Sequence, residues 1–170
     1  MPTGNLSNAT TTDYSNSVPD FIVEAKSLDT TESGETYVYF DKATENFGYY
    51  FNHPQVASPI NSLCTWAFGQ GYTTEDTLTE VILSKIDGNG SENIHNIIWN
   101  HEATKLINGD AFCQIIRNKN GTLINLINIS PERVKVVYRG NRIKRYEIWN
   151  GNKWIKKKPS QILHSSNSRS

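Results

Sequence analysis

Four histidines and two cysteines are the residues of this chain best suited to metal binding or nucleophilic chemistry, and their spacing does not converge on a site. His95 and His101 stand six apart in a segment of helical periodicity, which puts them on different faces. His101-Glu102 opens like a zinc-protease helix, but Lys105 stands where the second histidine is needed. A cysteine nucleophile needs a base and an orienting partner. Cys113, between Phe112 and Gln114 in a strand-like run, reads instead as a small packed side chain. His101 is expected to pack on its helix face, with His53, His95 and His164 as polar surface or turn residues. Glu75-Asp76 lies in a Thr-rich turn, and Asp110, directly after Gly109, reads as a turn cap rather than a base. Gly88-Asn89-Gly90 lacks the Lys-Ser/Thr that completes a phosphate loop. The expectation is a protein with no catalytic residue, no metal and no cofactor.

Charge is more informative. The formal net charge is zero, yet residues 1–116 carry 15 acidic side chains against Lys26, Lys42, Lys85 and Lys105. From Arg117 onward, 13 Lys and Arg face only Glu132 and Glu147. Such a split suits docking between copies of the chain or a basic face for nucleic acid. Lysines and arginines on the wet face of strands explain it equally well. The candidate contacts are Arg142, Lys144, Arg145, Lys156, Lys157 and Lys158, with Arg133, Lys135 and Lys153 nearby. Tyr138, Tyr146, Trp149 and Trp154 could stack bases beside them. Alternation places Arg133 and Lys135 on one strand face and Val134, Val136 and Tyr138 on the other, so the aromatics also read as core.

The elements that must position these residues follow from periodicity. Residues 1–19 are Thr, Ser and Asn with little to bury, and are expected to be a disordered tail. Residues 21–24 fit a short strand or arm, and 36–40 a strand. Phe47, Tyr49, Tyr50 and Phe51 form an aromatic cluster that is either a small core or a surface covered by another chain. A helix is expected over 56–68, with Ile60, Leu63, Cys64 and Ala67 on one face and Gly69 as a left-handed cap. Pro59 marks its start, unless Pro54 does and Pro59 lies inside. Residues 78–86 are a weaker segment, helical or mixed. Residues 91–108 are the most regular helix, with Ser91 as cap and Glu92 in the first turn. After Gly109 come short strands over 111–117, 122–129, 134–138, 143–149 and 153–155, separated by Asn-Gly, Ser-Pro and Gly-Asn turns, and then Gln161-Ile162-Leu163-His164 before a polar tail. The fold class is therefore α+β, two or three helices followed by an antiparallel β-meander. The domain spans 20–164, between the tail and a polar end at 165–170, with no strand closing the meander. No apolar leader and no membrane-length stretch occurs in the sequence.

The order of these blocks resembles one family. His53-Pro54-Gln55-Val56 opens a helix ending Phe68-Gly69-Gln70-Gly71-Tyr72. A longer helix ends Leu106-Ile107-Asn108-Gly109-Asp110-Ala111-Phe112. Ile115-Ile116-Arg117-Asn118, Gly121-Thr122-Leu123, Leu126, Ser130-Pro131-Glu132-Arg133-Val134, residues 143–146 and Ile162-Leu163-His164 complete the series. The series is similar to the N-terminal part of the portal proteins of tailed bacteriophages, over residues 37–164. The resemblance implies part of an α/β wing in a dodecameric ring at a capsid vertex of the virion, assembled in the bacterial host cytoplasm. It implies terminase, tail-connector and capsid proteins as partners, and double-stranded DNA passing through the assembled channel. The channel-lining stem, the terminase-facing clip and the crown would lie beyond Ser170. The competing expectation is a nucleic-acid-binding β domain that uses the basic strands.

Overall fold

A computed structural model of the chain describes residues 27–30 and 34–167. The expected tail 1–19 and the segment 21–24 lie outside the described residues. Strands β1 (Ser27–Thr30) and β2 (Glu35–Tyr39) are followed by α1 (Ala43–Asn52), α2 (Pro54–Phe68), α3 (Thr77–Ser84) and α4 (Ile94–Asn108). Strands β3 (Asp110–Arg117), β4 (Leu123–Ile129), β5 (Val134–Arg139), β6 (Arg142–Trp149), β7 (Trp154–Lys157) and β8 (Ile162–Ser166) complete the order. The α+β class holds, with four α-helices among the described residues where two or three were expected. The addition is α1, which carries the aromatic cluster: Phe47 and Phe51 stack one turn apart, 6.4 Å between centroids.

The strands are antiparallel, but they do not form one meander. Strands β1-β2-β5-β6-β7 make a five-stranded sheet and β4-β3-β8 a three-stranded one. The expected open end is closed, because β8 returns to pair with β3, Phe112 opposite His164 and Cys113 opposite Leu163. It runs to Ser166, past residue 164.

Strand alternation explains the layers. On β3, Phe112 faces the five-stranded sheet and Cys113 faces the helices, as successive side chains must. One core lies between the sheets and contains Val38, Phe40, Phe112, Val134, Val136, Tyr146, Ile148 and Ile162. Phe40 and Tyr146 both meet Phe112 edge to face, at 5.1 and 6.1 Å. A second core joins α4 to the other face of the small sheet through Ile86, Ile94, Ile97 and Cys113.

Helix ends correct three expectations. The side chain of Asn93, not Ser91, caps α4 by accepting from the Asn96 amide at 2.9 Å, and Glu92 lies before the helix. Asn93 has the extended backbone that a capping position needs. Helix α2 starts at Pro54 and keeps Pro59 inside, so the earlier of the two starts is the observed one. Gly69 is right-handed, φ −61°; it is Gly71 that takes a positive φ of 75°. A β-carbon at Gly69 would lie 2.3 Å from the Thr65 carbonyl oxygen, so close approach, not handedness, requires glycine there.

Candidate interaction surface

The basic candidates divide into two groups. Register explains the first. Val137 pairs with Arg145 and Tyr138 with Ile143, so Lys144 is an extra residue, a bulge in β6. A bulge re-aims neighbouring side chains, and both Lys144 and Arg145 reach Glu35 on β2. The Arg145 guanidinium donates to Glu35 Oε2 at 2.9 Å, to Glu147 Oε1 at 2.7 Å and to the Tyr37 hydroxyl at 3.0 Å. Hydrogen bonds from Arg145 and then Lys144 pull the Glu35 carboxyl down to about 2, and the Glu35 bond in turn holds Arg145 protonated above its usual range. Lys135 lies over the rings of Trp154 (3.7 Å) and Tyr39 (4.8 Å). Arg133 donates twice to the Trp149 carbonyl oxygen. These four cations are occupied within the chain.

Arg142, Lys156 and Lys158 are exposed, Lys157 is half-buried, and none makes an ion pair among the described residues. They sit at the β5–β6 turn and on the edge strand β7 and the turn after it. Of the six candidates, then, Arg142, Lys156 and Lys158 are exposed, Lys157 shares the core-facing side of the sheet with Tyr146, and Lys144 and Arg145 are paired with Glu35. The aromatics divide: Tyr146 is buried in the core and Tyr138 packs against it, whereas Trp149 and Trp154 are half-buried and pack on each other outside it. The nucleic-acid alternative thus loses Arg133, Lys135, Lys144 and Arg145 as free cations and Tyr146 as a stacking ring.

Cys113 is a buried, packed side chain as expected, and among the histidines it is His164 that departs from expectation. His164 is not a surface residue. Its ring stacks on Phe112 at 4.5 Å, bonds the Tyr146 hydroxyl through Nδ1 (3.1 Å) and meets Asp110 Oδ1 through Nε2 (2.8 Å). Asp110 is the first residue of β3 and only 1% exposed, a partner of His164 rather than a turn cap. His101 packs on its helix as expected, with Nε2 3.0 Å from Ser165 Oγ, and burial lowers its proton affinity. A serine, two histidines and an aspartate thus gather near β8, but the histidines divide the partners between them. The His that touches serine is not the one that touches aspartate, so no relay of serine, histidine and acid is assembled. Burial pushes the Cys113 thiol up to about 12 and raises Cys64. Neither carries the lowered thiol of a nucleophile. No cluster of three or more metal-type ligands occurs among the described residues.

Composition did not single out the most distinctive surface. The expected apolar face of α2 exists, but only Cys64 on it is buried, while Leu63 is 55% and Trp66, one residue round from Thr65, is 91% exposed. Phe51 on α1 and Leu78 on α3 are 75% and 67% exposed. Exposed large apolar side chains clustered on neighbouring helices mark an interaction surface, whereas scattered ones do not. Helices α1, α2 and α4 pack on one another, and Leu63 and Trp66 lie about one turn apart on α2.

No protein-family model matches the chain, and no curated protein matches it. Solved structures do. A chain in the neck of a native gene transfer agent particle, computed with C12 symmetry, superposes with a TM-score of 0.60 at 13% identity. The match covers 76% of this chain and 36% of that one. A chain of the virion of the native gene transfer agent particle matches equally, and one from the neck of the empty particle, computed with C6 symmetry, at 0.59. At this identity the likeness defines the fold: the α+β architecture described above is one that also occurs in a gene transfer agent particle. The chain spans about a third of the length of the chains it matches.

Proposed function

We propose that this chain is the wing-like part of a structural subunit of a phage-like particle, the portal ring at the capsid vertex. The fold likeness over three-quarters of the chain to a component of a particle neck carries this reading. The block order of residues 37–164 supports it, since a portal-like sequence series and a neck-like fold are separate observations. The exposed apolar side chains of α1–α3 and the exposed cations Arg142, Lys156 and Lys158 are then contacts to neighbouring subunits. Such head-to-tail contacts close into rings when the rotation allows. On this reading the chain has no catalytic role; it is one segment of a wall around a DNA channel, with terminase, tail-connector and capsid proteins as its neighbours.

Antibody against the chain, applied to density-purified particles from the producing host, tests it. Gold label at a single vertex or neck is expected. Purified particles free of the chain, or label spread over the whole shell, would overturn the proposal.

A further inference from the structure

The face on which the two sheets meet is not apolar throughout. Strand alternation puts Phe112 and Gln114 on the same side of β3, paired with Ile129 and Ile127 of β4. On the facing sheet, Tyr146 and Ile148 of β6 pair with Lys157 and Ile155 of β7. Phe112, Ile129, Tyr146 and Ile148 belong to the core between the sheets, so Gln114 and Lys157 hold inward-facing positions, one on each sheet. Both line a recess of about 340 Å³ together with Ile127, Ile129, Ile148 and Ile155. We propose that this recess binds a small organic acid, a single carboxylate on an apolar body about the size of one aromatic ring.

The polar groups point to that ligand. Neither the Lys157 ammonium nor the Gln114 side-chain amide has a hydrogen bond or ion pair among the described residues, although both side chains are half-buried. Taking a polar or charged group from water without a partner costs stability. Breaks in the apolar pattern are expected where a site is built. No carboxylate lines the recess, whereas a second cation does: Arg133 donates through Nε and Nη2 to the Trp149 carbonyl oxygen and keeps Nη1. The lining therefore complements a negative charge. An ammonium and an amide donor suit one carboxylate, since hydrogen bonds to an ionised acceptor are the strong ones. The four isoleucines leave only apolar contact for the rest of the ligand. The volume falls at the lower end of the range of about 300–1,000 Å³ for small-molecule sites, which suits one ring and its acid. A lysine that only stretches its stem along the sheet to reach water would not tell an acid from its neutral analogue. A chain with a role other than the portal one would carry the same recess.

The test titrates the full chain with benzoate and phenylacetate, with benzamide as the uncharged analogue and inorganic phosphate as an anion without an apolar body. The NMR signals of the Gln114 side-chain amide, assigned by their loss in Gln114→Leu, are the readout. Both acids should shift them saturably, and benzamide and phosphate should bind about tenfold more weakly or worse, the worth of a charge-assisted hydrogen bond. Lys157→Met should weaken the acids to a similar degree, and Lys157→Arg should retain most of the binding. Lys158→Met, at the exposed neighbour in the turn, should change nothing. Equal binding of benzoate and benzamide, no saturable shift with either acid, or equal losses in the two Met variants would overturn the proposal. If Lys157→Met does not fold, the comparison of benzoate with benzamide on the unaltered chain decides alone.

Discussion

Arg145 on β6 grips Glu35 on β2 across the intervening strand β5, 2.9 Å from Nη2 to Oε2. The two residues lie on strands that share no backbone hydrogen bond, so their side chains tie the outer part of the large sheet together above Val137, which is fully buried beneath them.

That pairing sets a pH dependence. Glu35 ionises at about 2 in the folded chain against an ordinary value of 4.5. A carboxyl lowered by folding adds stability that is fully present above its unfolded value and is lost as pH falls through the folded one. Melting temperature should therefore fall between pH 4.5 and pH 2. Glu35→Gln should lower it at pH 7, leave it unchanged near pH 2, and flatten that limb. Asp76, lowered mainly by its bonds to Thr79, keeps a residual slope. Melts followed by circular dichroism at several pH values decide it.

The cap of α4 gives a paired test. Asn93→Ala should cost about 1 kcal/mol, the usual worth of a capping side chain. Ser91→Ala, two positions earlier, should be neutral. Urea titrations of both variants measure the difference, and equal losses would contradict the cap geometry.

The shared core has one keystone. Phe112 is 1% exposed and meets Phe40, Tyr146 and His164 at once. Phe112→Ala should cost about 3–5 kcal/mol. That is a large part of the stability of a domain of this size. The midpoint of urea unfolding should move strongly to lower denaturant.

Charge reversal should separate the two groups of cations. Arg142→Glu with Lys156→Glu and Lys158→Glu should leave the melting temperature nearly unchanged, since those side chains are exposed and unpaired by the described residues. Arg145→Glu should destabilise the chain, because it sets a third carboxylate beside Glu35 and Glu147. If the outward set serves subunit contacts, the triple reversal weakens self-association of the full-length protein in sedimentation velocity. Unchanged sedimentation would remove those residues from the interface.

What could be read from sequence was local. The hairpin between β3 and β4 was legible because Asn118 organises it within four residues, its Oδ1 accepting from the amides of Asn120 and Thr122. The strand faces around Val134, Val136 and Tyr138 were legible from alternation alone. Helix α1 was not, because Phe47, Tyr49, Tyr50 and Phe51 around Gly48 are weak helix formers that look like strand residues. The split into two sheets was hidden too: β8 pairs with β3, and nothing near His164 names Asp110 as its partner 54 positions away. The same distance problem disguised Lys144 and Arg145 as free cations, since Glu35 lies about 110 positions upstream.

The return of β8 to β3 has a consequence for how the chain is made. Strand β3 is the middle of its sheet, yet one of its neighbours is synthesised last among the described strands. At about 5–20 residues per second on the ribosome, the β3–β4 hairpin waits roughly 2–7 s with one edge open. During that interval Asp110 has no His164, and the amides that Ser166 and His164 will meet face water or another strand. An uncovered strand edge is a template for pairing with another chain, and β8 is the strand that covers this one.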